Sequence, residues 1–316
     1  MLTTLLALAC ASPAPTSTAS TDATPAPLRV RVALNWYPEP EFGGFYAAKA
    51  AGLYERAGLD VEIVPGGPGA PVLELLAAGR TEVAVAAAED LLVRRARGLD
   101  AVAILPGLQD SPAGLLTRAG GATSLADIKG RVAIEQGAPF ERFLSAKYGW
   151  AGRVEVVPTA GGLGPFAADP ALTIQAFITA EPCAAEAQGL AVTFLPAREA
   201  GWNPYASVAT VRGNEVDAPW VRAFRDATLS GWNTYLSDPA PANALIVAAN
   251  PQLTPALLTC IADKQAPFVR GTDGVGAMTA ARWEELAAAL RSVGQDVKLE
   301  GAWKDLGAPS AAPAGK

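Results

Sequence analysis

The chain has 316 residues, half of them hydrophobic, with a formal net charge of −6 and a pI near 4.9. This length allows a sizeable core in one large domain or two smaller ones. Because binding to nucleic acid phosphates needs clustered Lys and Arg, the acidic charge excludes nucleic acid as an expected partner. The chain also has no histidine, which removes the commonest general base and metal ligand and makes an enzyme less expected.

The N-terminal segment has the character of an export signal. Residues 1–9 are apolar but too short to span a bilayer, and small residues precede Cys10. Residues 11–27 are rich in Ser, Thr, Ala and Pro without a hydrophobic period, so we predict a disordered tether. Residues 1–10 look like a bacterial lipoprotein signal with Cys10 as the lipidated residue; an ordinary secretory signal cleaved nearby is the alternative. Both predict export to the periplasm or outer cell surface, and the first predicts a lipid anchor in the membrane.

Strand and helix patterns alternate from residue 28 onward. The segments RVRVALNW, LDVEIVPGG, EVAVAAA and DAVAILPG read as strands, and helical patterns separate them. This βαβαβ succession predicts a parallel sheet covered on both faces. A second α/β unit begins at SLADIKGRVAIEQG, and long Ala/Leu-rich helices follow NPYASVATVRG. Residues 304–316 are rich in Gly, Ala and Pro, and we predict a disordered tail.

Four segments carry a family resemblance through their order and spacing: LNWYPEPEFGGFYAAKAAGLYERAGLDVEIVPGG, LLAAGRTEVAVA, SLADIKGRVAI and QAFITAEPCAAEAQG. Together they resemble the periplasmic solute-binding proteins that carry pyrimidine precursors of thiamine, whose relatives bind riboflavin, sulfonates and nitrate. The resemblance covers most of residues 28–293. It implies an α/β, type II periplasmic-binding-protein fold with two α/β lobes, a hinge and a C-terminal helical portion.

The resemblance also implies a division of the chain. Residues 28–115 and 208–303 would form a discontinuous first lobe, and residues 116–207 the second lobe, with hinge strands near Ala113 and Ser207. Cys183 and Cys260 then belong to different lobes. We expect no disulfide between them, because a bond across the lobes would oppose closure. The three cysteines form no CxxC pair, so we predict neither a metal site nor a cofactor.

Ligands of α/β sheets bind outside the carboxyl ends of strands, which directs attention to the loop after the first strand. Trp36 or Tyr37 would stack on a flat ring there, the alternative being packing at the strand end. One carboxylate of Glu39 and Glu41 would accept hydrogen bonds from an aminopyrimidine, and the other would be solvated. The complete predicted ligand-binding set is Asn35, Trp36, Tyr37, Glu39, Glu41, Gly43, Gly44, Tyr46, Glu89, Glu135, Glu181 and Tyr205.

The residues of this set are selected for different reasons. Gly43 and Gly44 would allow a close approach of the backbone to the ligand, or would simply start a helix. Tyr46 would point toward the same predicted binding site after the first strand. Asp90 reads as a helix N-cap, which leaves Glu89 as the candidate after the third strand. In the second lobe, Glu135 and Glu181 each follow a strand, and Tyr205 lies where the chain returns through the hinge.

The resemblance implies a monomeric substrate-binding subunit of a bacterial ABC importer, acting with permease and ATPase subunits. Its preferred cargo would be a planar nitrogen heterocycle, a thiamine pyrimidine precursor. Riboflavin is an alternative, and a sulfonate or nitrate is another that the acidic, aromatic loops disfavour. An enzyme that makes the pyrimidine is a rival from another class, but such relatives need a histidine of their own chain and a cysteine-rich motif, which this chain lacks.

Overall fold

The computed structural model describes residues 26–135, 138–159 and 162–307. The predicted signal, with Cys10, and the tether up to residue 25 lie outside these described residues. Within them, no helix combines the length and the apolar character that crossing a membrane requires.

The described residues form strands of four to eight residues, grouped into two sheets. They are β1 (Leu28–Ala33), β2 (Leu59–Val64), β3 (Val83–Ala86), β4 (Ala101–Leu108), β5 (Ala113–Arg118), β6 (Gly130–Ile134), β7 (Val154–Pro158), β8 (Thr173–Phe177), β9 (Val192–Pro196) and β10 (Ala206–Arg212).

Helices cover the sheets and fill the C-terminal part of the chain. They are α1 (Gly43–Ala50), α2 (Leu53–Arg56), α3 (Val72–Ala77), α4 (Ala88–Ala96), α5 (Pro139–Tyr148), α6 (Gly164–Ala168), α7 (Glu181–Ala187), α8 (Pro219–Ser237), α9 (Ala240–Ala249), α10 (Pro255–Arg270) and α11 (Ala280–Ser292). Short 3-10 turns add Pro40–Phe42, Leu125–Asp127, Ala197–Ala200 and Gly213–Glu215.

The two sheets have the same design. The first has the order β2-β1-β3-β10-β4 and the second β7-β6-β8-β5-β9. In each, the fourth strand runs antiparallel to both of its neighbours. The sheets are therefore mixed, whereas the βαβαβ pattern predicted a parallel one, because β10 returns to the first sheet after the chain has built the second. We call the unit on the first sheet the first lobe and the unit on the second sheet the second lobe.

Strand pairing shifts two of the predicted limits. The limit between residues 115 and 116 falls inside β5, whose whole length pairs within the second sheet. The limit between residues 207 and 208 falls inside β10, which pairs within the first sheet. Residues 109–112 and 197–205 connect the two sheets, so the chain crosses between the lobes there.

The glycine pair of α1 packs against another helix. A Cβ atom on Gly44 would overlap the ring of Trp232 in α8, and one on Gly43 would lie 2.7 Å from the ring of Tyr235. In turn, a Cβ on Gly231 would collide with the α1 backbone. The close approach is therefore made to helix α8, and both glycines stand at the start of α1, as the alternative interpretation expected.

The start of the predicted disordered tail is ordered. The backbone N–H of Lys304 donates to the carbonyl oxygen of Ala103 at 2.9 Å. The side chain of Leu306 is buried, and the guanidinium of Arg225 donates to the carbonyl oxygens of Leu306 and Gly307. Residues 304–307 thus belong to the first lobe, and residues 308–316 lie outside the described part of the chain.

Cys183 and Cys260 form a disulfide, with their Cα atoms 5.9 Å apart. The prediction of two free thiols was wrong. The two cysteines are 77 residues apart, so the sequence gives no sign that they meet. They do so because helix α10, which packs on the first lobe, also contacts α7 of the second lobe.

Candidate functional site

The loop between β1 and α1 brings two carboxylates to the end of the first strand. The Oγ of Ser207 donates a hydrogen bond of 2.5 Å to the carboxylate of Glu41. Burial raises the pKa of Glu39 well above its ordinary value, and the neighbouring charges of Glu41 and Glu181 raise it further. Burial also raises the pKa of Glu41, although its hydrogen bonds with Ser207 and Glu39 act in the opposite direction.

Ser207 is a site residue that the sequence analysis did not select. It is buried, and its φ of 50° lies in the left-handed region that residues other than glycine rarely adopt. Such a conformation costs roughly 1–3 kcal/mol and persists where the surrounding structure imposes it. Here it accompanies the hydrogen bond to Glu41 at the point where β10 re-enters the first sheet. No local sequence signal marks this serine.

The second lobe contributes Glu181, the first residue of α7. Its carboxylate accepts a hydrogen bond of 2.8 Å from the backbone N–H of Phe177. Burial nevertheless raises the pKa of Glu181. Glu39 and Glu181 line one cavity of about 190 Å³, so side chains from both lobes meet in it. The other lining residues are Gly162, Leu163, Ala180, Ala184, Gln188, Leu253, Leu257 and Ile261.

A second acidic group lies at the N-terminus of α4. Burial, with a contribution from the charge of Asp90, raises the pKa of Glu89 to about 8. The Oε2 atom of Glu89 is buried without a hydrogen-bond partner in the described residues. Burial raises the pKa of Asp90 as well, and the charge of Glu135 raises both values. Glu135 follows β6 of the second lobe, so carboxylates of the two lobes approach each other here too.

Asp90 does not have its predicted role as a helix cap. Helix α4 begins at Ala88, and the residue in the capping position is Ala87, in extended conformation. Asp90 is therefore the third residue of the helix, where a carboxylate still interacts favourably with the helix dipole.

Aromatic side chains at the strand ends remain accessible. Trp36 and Tyr37 are 41% and 49% exposed, and their rings meet edge to face at 5.4 Å. Phe177, at the end of β8 in the second lobe, is 36% exposed and was not selected from the sequence. The neighbouring Asn35 has a buried Oδ1 without a hydrogen-bond partner in the described residues. These groups could contact the faces and the polar edge of a ring.

Two predicted tyrosines have structural roles instead. Tyr46 is buried in the hydrophobic core of the first lobe, and burial raises its pKa to about 12. Tyr205 is 1% exposed, and its hydroxyl accepts a hydrogen bond of 3.0 Å from the backbone N–H of Thr279. The guanidinium of Arg282 covers the Tyr205 ring at 4.7 Å. Neither tyrosine presents a free surface to a ligand, which corrects both predictions.

The hinge holds arginines whose charges are already paired. Asp110 in the first crossing contacts Arg198 at 3.1 Å and Arg282 at 3.7 Å, and it accepts a hydrogen bond of 2.8 Å from the Nδ2 of Asn203. Arg282 also donates to the carbonyl oxygens of Gln109 and Asn203. Among the residues that line the described cavity there is no Lys or Arg. The described residues also contain no group of three or more side chains suited to hold a metal ion.

Structural comparison identifies the class of fold. The aliphatic sulphonate binding protein SsuA from Escherichia coli superposes with a TM-score of 0.71 at 15% identity, covering 92% of this chain and 96% of that one. The alkanesulfonate-binding protein SsuA from Xanthomonas axonopodis pv. citri, bound to MOPS, gives 0.63 at 17% identity, covering 88% and 99%. The desulfurization enzyme DSZB gives 0.57 at 15% identity, covering 88% and 97%. The predicted periplasmic-binding-protein fold is confirmed.

Family assignment comes from the sequence. The profile of the NMT1/THI5-like family matches residues 39–242, well over half of the chain. This protein belongs to the NMT1/THI5-like family. A comparison with curated protein sequences gives no significant match.

Proposed function

We propose that this protein is the substrate-binding subunit of a bacterial ABC importer and that it captures a planar nitrogen heterocycle, by preference a thiamine pyrimidine precursor. The meeting of Glu39, Glu41 and Glu181 between the lobes carries this proposal. Carboxylates whose pKa values are raised by burial, with no basic side chain paired to them, are candidates for a functional site, because burying their charged form costs stability. The amino group and ring nitrogen of an aminopyrimidine would supply donors or share a proton with these oxygens.

The size of the cavity favours a small ring. Its volume of about 190 Å³ lies below the range of roughly 300–1,000 Å³ common for ligand pockets. A single pyrimidine ring suits it better than the three fused rings of riboflavin. Trp36, Tyr37 and Phe177 are exposed aromatic side chains that do not line this cavity, and stacking by them would require the ring to extend beyond it.

A sulfonate is the second candidate, since the E. coli and Xanthomonas structural neighbours are described as sulfonate-binding proteins. A sulfonate would need positive charge or several N–H donors in the cleft. The described cavity has carboxylates and no basic side chain in its lining, and Arg198 and Arg282 are engaged with Asp110. These charges favour a ligand that donates hydrogen bonds.

A binding role is also favoured over catalysis. DSZB shows that an enzyme can have this fold. The present chain has no histidine, and both cysteines of its described part are bonded to each other. A Cys/His or Ser/His nucleophilic arrangement is therefore not available to the described residues.

A thermal-shift panel on the purified protein tests the ligand. The panel contains hydroxymethylpyrimidine, riboflavin, an aliphatic sulfonate and nitrate at equal concentrations. At a hundredfold excess over Kd, the true ligand should raise stability by about 2.7 kcal/mol. We expect this shift with the pyrimidine alone. A shift with the sulfonate and none with the pyrimidine would transfer the assignment to the second candidate.

Export and anchoring remain proposals from the sequence. We infer that Cys10 carries a lipid and that the protein works at the membrane surface beside its permease. Mass spectrometry of membrane-extracted protein should find a diacylglyceryl or triacyl adduct on an N-terminal Cys10. An unmodified chain that starts at another residue would support the ordinary secretory signal.

A further inference from the structure

The disulfide joins helices that belong to different lobes. Cys183 lies in α7, which packs against β8 and β9 of the second sheet. Cys260 lies in α10, which contacts β4, α8 and the Pro40–Phe42 turn of the first lobe. The bond is therefore a covalent connection between the lobes, in addition to the two chain crossings at residues 109–112 and 197–205.

The joined helices form a wall of the cavity that contains Glu39 and Glu181. Ala184 of α7 and Gln188, which directly follows this helix, line that cavity, and Leu257 and Ile261 of α10 line it as well. Each cysteine is thus a direct chain neighbour of a lining residue. We call these two helices, where they meet, the cleft wall.

An ion pair reinforces the cleft wall. The Nζ of Lys264 in α10 lies 3.0 Å from the carboxylate of Glu186 in α7, one turn beyond the disulfide. Both side chains are partly exposed, so this pair by itself contributes little. The disulfide, as a covalent bond, is consequently the stronger of these two connections between the helices.

The bond lies away from the hinge, where it restricts rotation most. The other end of α10 reaches the first crossing, since the backbone N–H groups of Gln109 and Asp110 donate to the carbonyl oxygen of Phe268. Cys260 is eight residues before Phe268, about 12 Å along the helix axis. Two-lobed proteins open by rotation about residues in their crossings, and a link at a distance from that axis limits the angle.

We propose that the Cys183–Cys260 disulfide is a latch that keeps the cleft closed along the cleft wall and that its reduction allows the lobes to open further. The structure contains the bond with side chains of both lobes around the cavity, so the bond would oppose opening from this arrangement. Ligand exchange in the oxidised protein then takes place without separation of α7 from α10.

Release of the latch by a dithiol is a balanced exchange. A thiolate of the reductant attacks the Sγ of Cys260, which is partly exposed, whereas Cys183 is buried. The S–S bond breaks and Cys183 leaves as a thiolate that takes up a proton. The second thiol of the reductant then displaces Cys260, so the protein gains two electrons and two protons and the dithiol becomes a cyclic disulfide.

Small-angle X-ray scattering of the full chain without ligand tests the latch. We expect a larger radius of gyration after reduction with dithiothreitol and a return to the original value on reoxidation. The double variant Cys183→Ser/Cys260→Ser should show the larger radius with or without reductant. Hydrogen exchange measured on the same samples should become faster in α7 and in the first half of α10.

A flexible crosslinker between the two cysteines distinguishes the proposed latch from the general stabilisation that any disulfide supplies. Re-joining the reduced thiols through a flexible bis-maleimide keeps the covalent loop closed but lets the helices move apart, so expansion is expected there too. The re-joined protein also provides the test if the double serine variant does not fold. Identical scattering and identical exchange in the oxidised and re-joined proteins would overturn the proposal and leave the disulfide a purely structural bond.

Discussion

Asp110 at the hinge and Glu39 in the cleft are both partly buried carboxylates, but their surroundings differ. Asp110 has Arg198, Arg282 and Asn203 within 3.7 Å. Glu39 instead faces Glu41 and Glu181, and no ion pair joins these three to a basic residue of the described chain. The hinge carboxylate stabilises the fold, whereas the cleft carboxylates are retained at a cost in stability that a suitable ligand would offset.

Removing the central hinge arginine should have the largest effect among the charged residues of the hinge and the cleft. In the Arg282→Ala variant, Asp110 loses one partner, and the carbonyl oxygens of Gln109 and Asn203 lose their donor. Unsatisfied buried groups of this kind should lower the free energy of unfolding by about 3 kcal/mol. Urea unfolding at pH 7 measures this. The more exposed Arg198→Ala is the matched control, with a loss below about 1 kcal/mol, and equal losses would contradict the special role of Arg282.

The cleft carboxylates should respond in the opposite way. Glu39→Gln removes an acceptor for the ligand but also removes a buried carboxylate that has no basic partner among the described residues. We expect affinity for hydroxymethylpyrimidine to fall by about 2 kcal/mol, with no loss of stability at pH 8. Calorimetric titration and urea unfolding of one preparation give both numbers. Glu62→Gln, an exposed carboxylate on β2, is the control that should leave affinity unchanged. A destabilised Glu39→Gln protein would show that the carboxylate is structural.

Stability should fall as the pH rises across the range in which Glu89, at the N-terminus of α4, ionises. The pKa of Glu89 is about 8 in the folded protein against an ordinary value of 4.5. Between these values the folded state holds more protons than the unfolded state, so unfolding becomes easier with rising pH. The slope for this one group is at most about 1.4 kcal/mol per pH unit. Urea unfolding from pH 4.5 to pH 8 should show it, and Glu89→Gln should flatten it. A free energy of unfolding that rises with pH in the wild type would contradict the raised pKa of Glu89.

The smallest change in stability is expected at an exposed residue of the loop after β1. Trp36 is 41% exposed, so Trp36→Ala should change the free energy of unfolding by less than about 0.5 kcal/mol. Loss of stacking should still weaken binding of the pyrimidine by roughly 1–3 kcal/mol. Trp232→Ala, in the core beside Gly44, is the contrasting variant and should cost about 3–5 kcal/mol of stability. A large stability loss with unchanged affinity in Trp36→Ala would place Trp36 in the core.

The sequence by itself determined the fold class and the position of the acidic loop. Alternating strand and helix patterns placed Glu39, Glu41 and Glu181 just after strands, and the structure brings them together where two sheets face each other. These features depend on side-chain periodicity and on the common rule that parallel strands present their carboxyl ends at one edge. Both are local properties, and for that reason they can be read along the chain.

Only the tertiary structure decided which distant residues meet. The hydrogen bond from Ser207 to Glu41, the packing of Gly44 under Trp232 and the disulfide from Cys183 to Cys260 each join residues more than 70 positions apart. None has a local signal, because the contacts depend on how strand β10 and helices α8 and α10 pack against elements formed much earlier in the chain. The role of Tyr205 was misread for the same reason, since its partners Thr279 and Arg282 belong to the start of α11, which follows three intervening helices.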